Sequence, residues 1–166
     1  MTDADAFRGF VSGRLDQLRR TAYLLCGDWH LADDIVSTAL ARLYRHWPRM
    51  AHVGNLDGYV RRVLVRSWLN ETRRPWRRER PAAVLPERAS SARDADGVVD
   101  RMAMVGLLAE LPPRRRAVVV LRYCNDLSVD EVAEILGCSA GTVKSQSARA
   151  LDTLRTRLGS PAEKEC

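Results

Sequence analysis

The fold of this chain is decided by residues 127–151, which read LSVDEVAEILGCSAGTVKSQSARAL. Ser128 and Glu131, three residues apart, form the capping-box pattern that starts a helix. Gly137 favours the left-handed conformation that ends a helix, and Ser139 is suited to cap the next one. These signals predict two short helices joined by a tight turn, a helix-turn-helix, whose second helix lies in the major groove of DNA.

The second helix of this motif carries the side chains that we expect to contact DNA. If Val143, Ser147 and the leucines Leu151, Leu154 and Leu158 pack inward, a polar side is left outside. Lysine and arginine suit phosphate or guanine, glutamine suits the adenine edge, and hydroxyls suit phosphates. The predicted contacts are Thr142, Lys144, Ser145, Gln146 and Arg149. The alternative is an ordinary solvated helix face, but the capped turn before it favours DNA contact.

Helical periodicity continues outside the motif, so an all-α fold is predicted. Upstream, it predicts helices over residues 7–25, 31–47 and 57–74, the second of them ended by Pro48. A fourth helical pattern starts near residue 98 and breaks at Pro112 and Pro113. A further helix is predicted to begin there, with Pro113 in its first turn and an apolar stripe facing the core. That stripe consists of Ala117, Val120, Leu121 and Cys124.

A row of basic residues follows one side of the third predicted helix. Residues 61–80 contain eight arginines against only Glu71 and Glu79, a charge pattern that suits a polyanion. Val60, Leu64 and Trp68 point one way. The opposite side carries the row itself: Arg62, Arg66, Asn70 and Arg73.

The tryptophans divide into two groups. Trp29, Trp47 and Trp68 lie on or beside buried stripes, and we expect all three in the core. Trp76 lies among arginines outside the helical period, so it is the candidate for stacking on an exposed base.

Composition indicates two small domains in a protein that binds an anion. The 166 residues carry a formal charge of +6 and a pI near 9.6. Pro75, Pro81 and Pro86 interrupt every periodicity, which predicts a flexible linker over residues 79–97 between domains at 1–78 and 98–166.

The four cysteines (Cys26, Cys124, Cys138 and Cys166) form no C-x-x-C pair, so we expect no metal, no cofactor and no disulfide framework. Neither a signal peptide nor a membrane span is predicted, which favours the cytoplasm.

Both halves of the sequence resemble one family. LPPRRRAVVVLRYCNDLS at residues 111–128, continuing into GTVKS at 141–145, resembles region 4 of extracytoplasmic-function (ECF) sigma factors. RTAYLLCGD at residues 20–28, ADDIV at 32–36 and YVRR at 59–62 resemble their region 2. The likeness extends over roughly residues 7–158. The arginine-rich composition is similar to that of the small SigE-like actinobacterial branch of the family.

The resemblance implies a function and assigns roles to residues. Such a factor directs core RNA polymerase to promoters and helps to melt the -10 element. Region 4 would contact the -35 element through the helix-turn-helix. In region 2, Arg62, Arg66, Asn70, Arg73 and Trp76 would approach the -10 DNA, and the loop at residues 50–57 would capture an unstacked base. Asp34, Thr38 and Arg45 would face the polymerase clamp, and an anti-sigma factor is a further possible partner.

The sequence departs from the family pattern at three places. Ser37 and Thr38 replace a common Gln-Glu pair, Arg66 replaces a common asparagine, and Gln146 replaces a frequent arginine. For this reason the -35 consensus of other members is not carried over to this chain.

Three other functions fit the sequence less well. A stand-alone helix-turn-helix regulator would leave the arginine row unexplained. An enzyme acting on nucleic acid is disfavoured because there is no P-loop, G-x-G-x-x-G or H-E-x-x-H motif, and surface or helix-end positions suit His30, His46 and His52. Binding to an acidic membrane surface would require a larger apolar helix face than the arginine-rich helix offers.

Overall fold

The computed structural model describes residues 2–50, 52, 54–74 and 95–159. The chain divides into two compact units, Met1–Leu85 and Pro86–Cys166, and each is described by itself. Regular structure in the described ranges is helical, with no strand among them, which confirms the predicted all-α fold of two helical units. The predicted linker falls almost entirely outside the described residues, as does Trp76.

The first unit consists of helices α1 (Asp3–Ser12), α2 (Leu15–Cys26), α3 (Trp29–Met50) and α4 (Leu56–Thr72). Helices α2, α3 and α4 pack against one another, and α1 packs on α3. Leu25, Leu43, Leu64 and Trp68 are fully buried where these helices meet. Burying large apolar side chains of this kind supplies the main free energy of folding.

Two predicted helix boundaries in this unit are wrong. The single helix expected over residues 7–25 is two helices, because the chain breaks at Gly13 and Arg14, and α2 begins at Leu15. Pro48 does not end α3, which continues to Met50. Proline lacks an N–H but its φ is helical, so near a helix end it removes one hydrogen bond without stopping the final turn.

The predicted core tryptophans are buried, with one exception. Trp47 and Trp68 are buried, whereas Trp29 is half-buried. The Trp29 ring stacks on Tyr23 with centroids 4.0 Å apart and planes inclined by 2°. The Arg19 guanidinium lies 5.3 Å from the Trp29 ring centroid and binds Asp33 at 2.6 Å. Trp29 therefore helps to join α2 to α3 at the edge of the core.

The second unit consists of α5 (Ala95–Ala109), α6 (Pro113–Val119), a π-helical turn (Val120–Cys124), α7 (Val129–Leu136) and α8 (Ala140–Gly159). Pro113 occupies the first turn of α6, as predicted. Helix α8 packs on both α6 and α7. The fully buried side chains include Leu108, Leu111, Leu121 and Val132.

Two side chains predicted to be in this core are exposed. Ala117, Val120 and Leu121 are buried as expected, but Cys124 is exposed, although partial burial raises the pKa of its thiol. Cys124 is the last residue of the π-helical turn, which is closed by a bond from the Asn125 N–H to the Val120 carbonyl. Because this turn is wider than an α-helical turn, a spacing of four residues from Val120 no longer places Cys124 on the buried side. Leu158 is 63% exposed, because the buried stripe of α8 ends before the last turn.

Within the described ranges, none of the helices combines the length and apolarity needed to cross a membrane. His30, His46 and His52 are all exposed, as expected.

Candidate nucleic-acid interface

The helix-turn-helix forms as the sequence predicts. The Ser128 N–H donates to the Glu131 carboxylate at 2.8 Å, and the Glu131 N–H donates to the Ser128 hydroxyl at 3.1 Å. Gly137 ends α7 with φ of 66°, the left-handed conformation. The Ser139 hydroxyl accepts from the Thr142 N–H at 3.1 Å and caps α8. Two capped helices thus meet at a turn of fixed geometry.

The outer side of α8 presents most of the predicted DNA contacts to solvent. Val143 and Ser147 are buried as expected, joined by Ala150, while Leu151 and Leu154 are half-buried. The predicted contacts Thr142, Lys144, Ser145 and Arg149 are exposed, and Gln146 is half-buried.

The hydroxyl groups on this side are already hydrogen-bonded within the helix. Thr142 Oγ1 lies 2.9 Å from Ser139 Oγ, and Ser145 donates its hydroxyl proton to the Thr142 carbonyl at 3.1 Å. In this rotamer Ser145 offers only lone pairs, so it cannot donate to a phosphate oxygen. The cationic side chains are therefore the stronger phosphate ligands on this helix.

The charges on α8 separate into a paired end and an unpaired end. Near the carboxyl end, Arg155 lies 3.8 Å from Asp152, and Arg157 lies 3.0 Å from Glu110. Within the described part of the chain, Lys144 and Arg149 pair with no carboxylate. The positive charge available to an external anion is thus concentrated in the amino-terminal half of α8, where helix-turn-helix proteins contact bases.

One residue that touches this surface was missed by sequence reasoning. Arg115 in α6 donates from Nε to Oε1 of Gln146 at 2.9 Å. Its neighbours bind backbone oxygens, Arg114 that of Leu136 at 3.5 Å and Arg116 those of Ala109 and Leu111. Three consecutive arginines give no sequence signal that distinguishes these roles, because each partner is set by tertiary packing.

The arginine row of α4 lies opposite the buried side of that helix. Val60, Leu64 and Trp68 are buried, as predicted. Arg66, Asn70 and Arg73 are exposed, whereas Arg62 is half-buried. Beside the row, Arg74 lies 3.6 Å from Glu71. The guanidinium groups of Arg66 and Arg73 and the amide of Asn70 are therefore directed away from the core of this unit.

Helix α3 presents the three residues assigned to polymerase binding. Asp34, Thr38 and Arg45 are all exposed, while Ile35, Val36 and Ala39 on the other side of the helix are buried. Asp33, next to Asp34, is held within the unit by Arg19 at 2.6 Å. Of the two adjacent carboxylates, Asp33 is thus paired with Arg19, whereas Asp34 is exposed without a bond to Arg19.

Each of the two units matches the model of a known protein family. Residues 10–78 match the family model described as sigma-70 region 2, and residues 101–154 match sigma-70 region 4. Two solved structures have a similar fold. CnrH, in complex with the cytosolic domain of CnrY, gives a TM-score of 0.72 at 18% identity, covering 95% of this chain and 90% of that chain. The sigma factor RpoE, in complex with the anti-sigma factor NepR from Bartonella quintana, gives 0.72 at 22% identity, covering 92% and 96%.

Three similar sequences are those of RNA polymerase sigma factors. The RNA polymerase sigma-E factor of Streptomyces avermitilis is 40% identical over 159 residues, which cover 93% of this chain and 86% of the relative. The sigma-E factor of Streptomyces coelicolor is 40% identical, covering 92% and 85%. The ECF RNA polymerase sigma factor SigM of Mycobacterium tuberculosis is 30% identical, covering 86% of this chain and 72% of the relative. With both sigma regions present in order and relatives matched over most of their length, the chain belongs to the extracytoplasmic-function RNA polymerase sigma factors.

Proposed function

We propose that this chain directs core RNA polymerase to specific promoters and helps to open them. We further propose that it is not itself an enzyme and that it acts in the cytoplasm with the polymerase. The observation that carries the proposal is the pairing of a region 2 unit and a region 4 unit, each with an exposed basic helix surface. A sigma factor supplies contacts rather than catalytic groups, and two separated DNA contacts set both position and direction along a duplex.

The proposed -35 contact is the amino-terminal half of α8. Lys144 and Arg149 supply charge for phosphate or guanine, and Gln146 supplies an amide. Thr142 and Ser145 line the same end of the helix, with their hydroxyls bonded locally. Because a helix inserted in the major groove presents its first turns to base edges, these residues suit sequence recognition better than the paired arginines at the far end.

The proposed -10 contact consists of Arg62, Arg66 and Asn70 on the outer side of α4, Arg73 directly after the helix, and Trp76. Opening DNA costs a few kcal/mol for each unstacked base step, so a melting surface needs cations and stacking partners that recover this energy. The exposed Arg66 and Arg73 support the cationic part of this assignment.

The proposed polymerase contact is the outer side of α3, through Asp34, Thr38 and Arg45. Their exposure on a helix whose other side is buried supports a docking role. We further propose an anti-sigma protein as a regulatory partner, since RpoE of similar fold is bound to one.

Reconstituted transcription tests the proposed function. The full chain is added to core RNA polymerase with a promoter-bearing fragment selected from the source genome, and the initiated transcripts are mapped. We expect discrete start sites that require the added chain. A chain that binds the same DNA tightly without the polymerase, and that adds no start site, would instead be a stand-alone regulator.

A further inference from the structure

The side-chain contact between Arg115 and Gln146 crosses from α6 to α8, over a separation of 31 residues. The Arg115 Nε lies 2.9 Å from Gln146 Oε1, and both side chains are half-buried. Gln146 is the only one of the five predicted -35 contacts that is not exposed. Its amide is thus held by a neighbouring helix rather than being free to rotate in solvent.

The chemistry of the pair fixes which way the amide points. A glutamine amide has an oxygen that accepts and a nitrogen that donates two protons, and the two ends are nearly isosteric. Arginine carries five N–H donors and no acceptor, so only the oxygen can face it favourably. The nitrogen of Gln146 is therefore the end left for an external partner.

A bound oxygen changes what Gln146 can recognise on DNA. The adenine pairing of glutamine is bidentate, with the amide oxygen accepting from N6 and the nitrogen donating to N7. The amide oxygen keeps a second lone pair, but the bond to Arg115 holds that oxygen toward α6, so the N–H donors are the groups that we expect Gln146 to turn to a base. Guanine offers two major-groove acceptors, O6 and N7, while cytosine presents the N4 donor, which would meet another donor.

From this geometry, and resting on the proposed function, we propose that Arg115 is a positioning residue that turns the N–H donors of Gln146 to the -35 element. The pair selects a base edge that accepts hydrogen bonds, guanine first, and excludes cytosine at one position. Arg115 sets this preference without touching a base.

The test compares promoter choice by holoenzymes that contain the full chain or its variants. Core RNA polymerase is assembled with each chain and offered a promoter library randomised across the -35 element, and the opened promoters are sequenced. The variants are Arg115→Met, which removes the donors but keeps length, Arg115→Lys, which keeps a donor, and Gln146→Ala. Arg114→Met is the matched control, because it removes the adjacent guanidinium, whose bond goes to the Leu136 carbonyl.

We expect the unmodified chain to disfavour cytosine at one base pair by about tenfold, the scale of one good base contact. Gln146→Ala should abolish the preference at that base pair. Arg115→Met should reduce it several-fold and admit adenine, because the amide can then turn, whereas Arg115→Lys should retain most of it and Arg114→Met all of it. In a Gln146→Ala chain, Arg115→Met should have no further effect on that position.

Three results would overturn the inference. One is an unchanged preference in Arg115→Met when Gln146→Ala has lost it. Another is an equal loss of binding to all sequences with a salt slope lowered by about one unit, which would make Arg115 a phosphate contact. The third is lost preference together with a lowered melting temperature that Arg115→Lys fails to rescue, which would make the contact merely structural. If the unmodified holoenzyme selects no promoter, the proposed function itself is wrong and the inference fails with it.

Discussion

Arg14 and Asp57 form an ion pair that joins the break between α1 and α2 to the first turn of α4. The Arg14 Nε lies 2.5 Å from Asp57 Oδ1, and the two residues are 43 positions apart in the chain. The same guanidinium lies 4.1 Å from the Phe10 ring centroid and donates to the Phe10 carbonyl at 3.2 Å. One side chain thus holds the end of α1, the start of α2 and the start of α4 together.

Arg14→Ala should lower the free energy of unfolding of the first unit by about 1 kcal/mol. The pair is half-exposed, so solvent weakens the ionic part, and the contact with Phe10 contributes a similar amount. Urea unfolding followed by tryptophan fluorescence measures the change. Arg8→Ala is the matched control, since it removes an exposed arginine from the neighbouring helix, and it should leave the unfolding midpoint unchanged. An equal loss in both variants would assign the effect to net charge.

Ser128→Ala should destabilise the second unit by about 1 kcal/mol, because it removes the hydroxyl that caps α7 and leaves the Glu131 N–H without its acceptor. Circular dichroism during thermal unfolding measures the loss. Ser128→Asp restores an acceptor at the same position and should recover most of the stability. If Ser128→Asp is as unstable as Ser128→Ala, the hydroxyl bond is not what stabilises this helix start.

Arg66→Ala should reduce promoter opening more than it reduces closed-complex binding, because an exposed cation on α4 is proposed to contact the melted -10 strand. The slope of log affinity against log salt should become shallower by about one unit for a lost phosphate contact. Permanganate footprinting of unpaired thymines, together with filter binding at several salt concentrations, gives both values. Arg8→Ala again serves as control, and an identical slope in Arg66→Ala and the unmodified chain would remove Arg66 from the DNA contact.

Arg149→Ala should weaken recognition of the -35 element by about tenfold or more while leaving affinity for free core polymerase unchanged. Arg149 is exposed in the amino-terminal half of α8 and pairs with no carboxylate in the described residues. Arg155→Ala is the matched control, since Arg155 is 76% exposed on the same helix but lies 3.8 Å from Asp152. Equal effects of the two substitutions on promoter choice would contradict a base-contacting role for Arg149.

Asp34→Arg should reduce affinity for core polymerase and leave the fold intact, because Asp34 is exposed on the side of α3 proposed to meet the clamp. Reversal of a charge at an interface leaves like charges opposed and costs several kcal/mol. Fluorescence anisotropy of labelled chain with core polymerase measures the affinity. Gly9→Arg, which adds a cation at an exposed position in α1 where an added Cβ meets no neighbouring atom within 4 Å, is the control and should bind normally.

Local sequence signals predicted the helix-turn-helix well because its determinants lie close together in the chain. Ser128, Glu131, Gly137 and Ser139 act over three or four residues, and each was assigned the role that the structure shows. The buried side of α4 was likewise predicted, since Val60, Leu64 and Trp68 repeat at four-residue intervals. The residues proposed to contact DNA and polymerase stay predictions, because exposure alone does not identify a ligand.

Long-range contacts explain what the sequence did not predict. Arg14, at the break between α1 and α2, pairs with Asp57, 43 residues away, and Gln146 accepts from Arg115, 31 residues away, so neither contact is visible in a local pattern. The exposed Cys124 follows from a π-helical turn, which changes the helical phase without any glycine or proline to mark it. Pro48 lies two residues before the end of α3, because a proline close to a helix end need not be its last residue.

We propose that two basic helix surfaces on one chain position RNA polymerase on one duplex. The most direct test of this proposal is transcription of the whole source genome by core polymerase with and without the chain, followed by sequencing of transcript 5′ ends. We expect new start sites that share two sequence elements at a fixed spacing. Arg149→Ala should remove the contribution of the -35 element, and Arg66→Ala that of the -10 element. A chain that binds core polymerase yet yields no shared elements upstream of any start site would contradict the proposal.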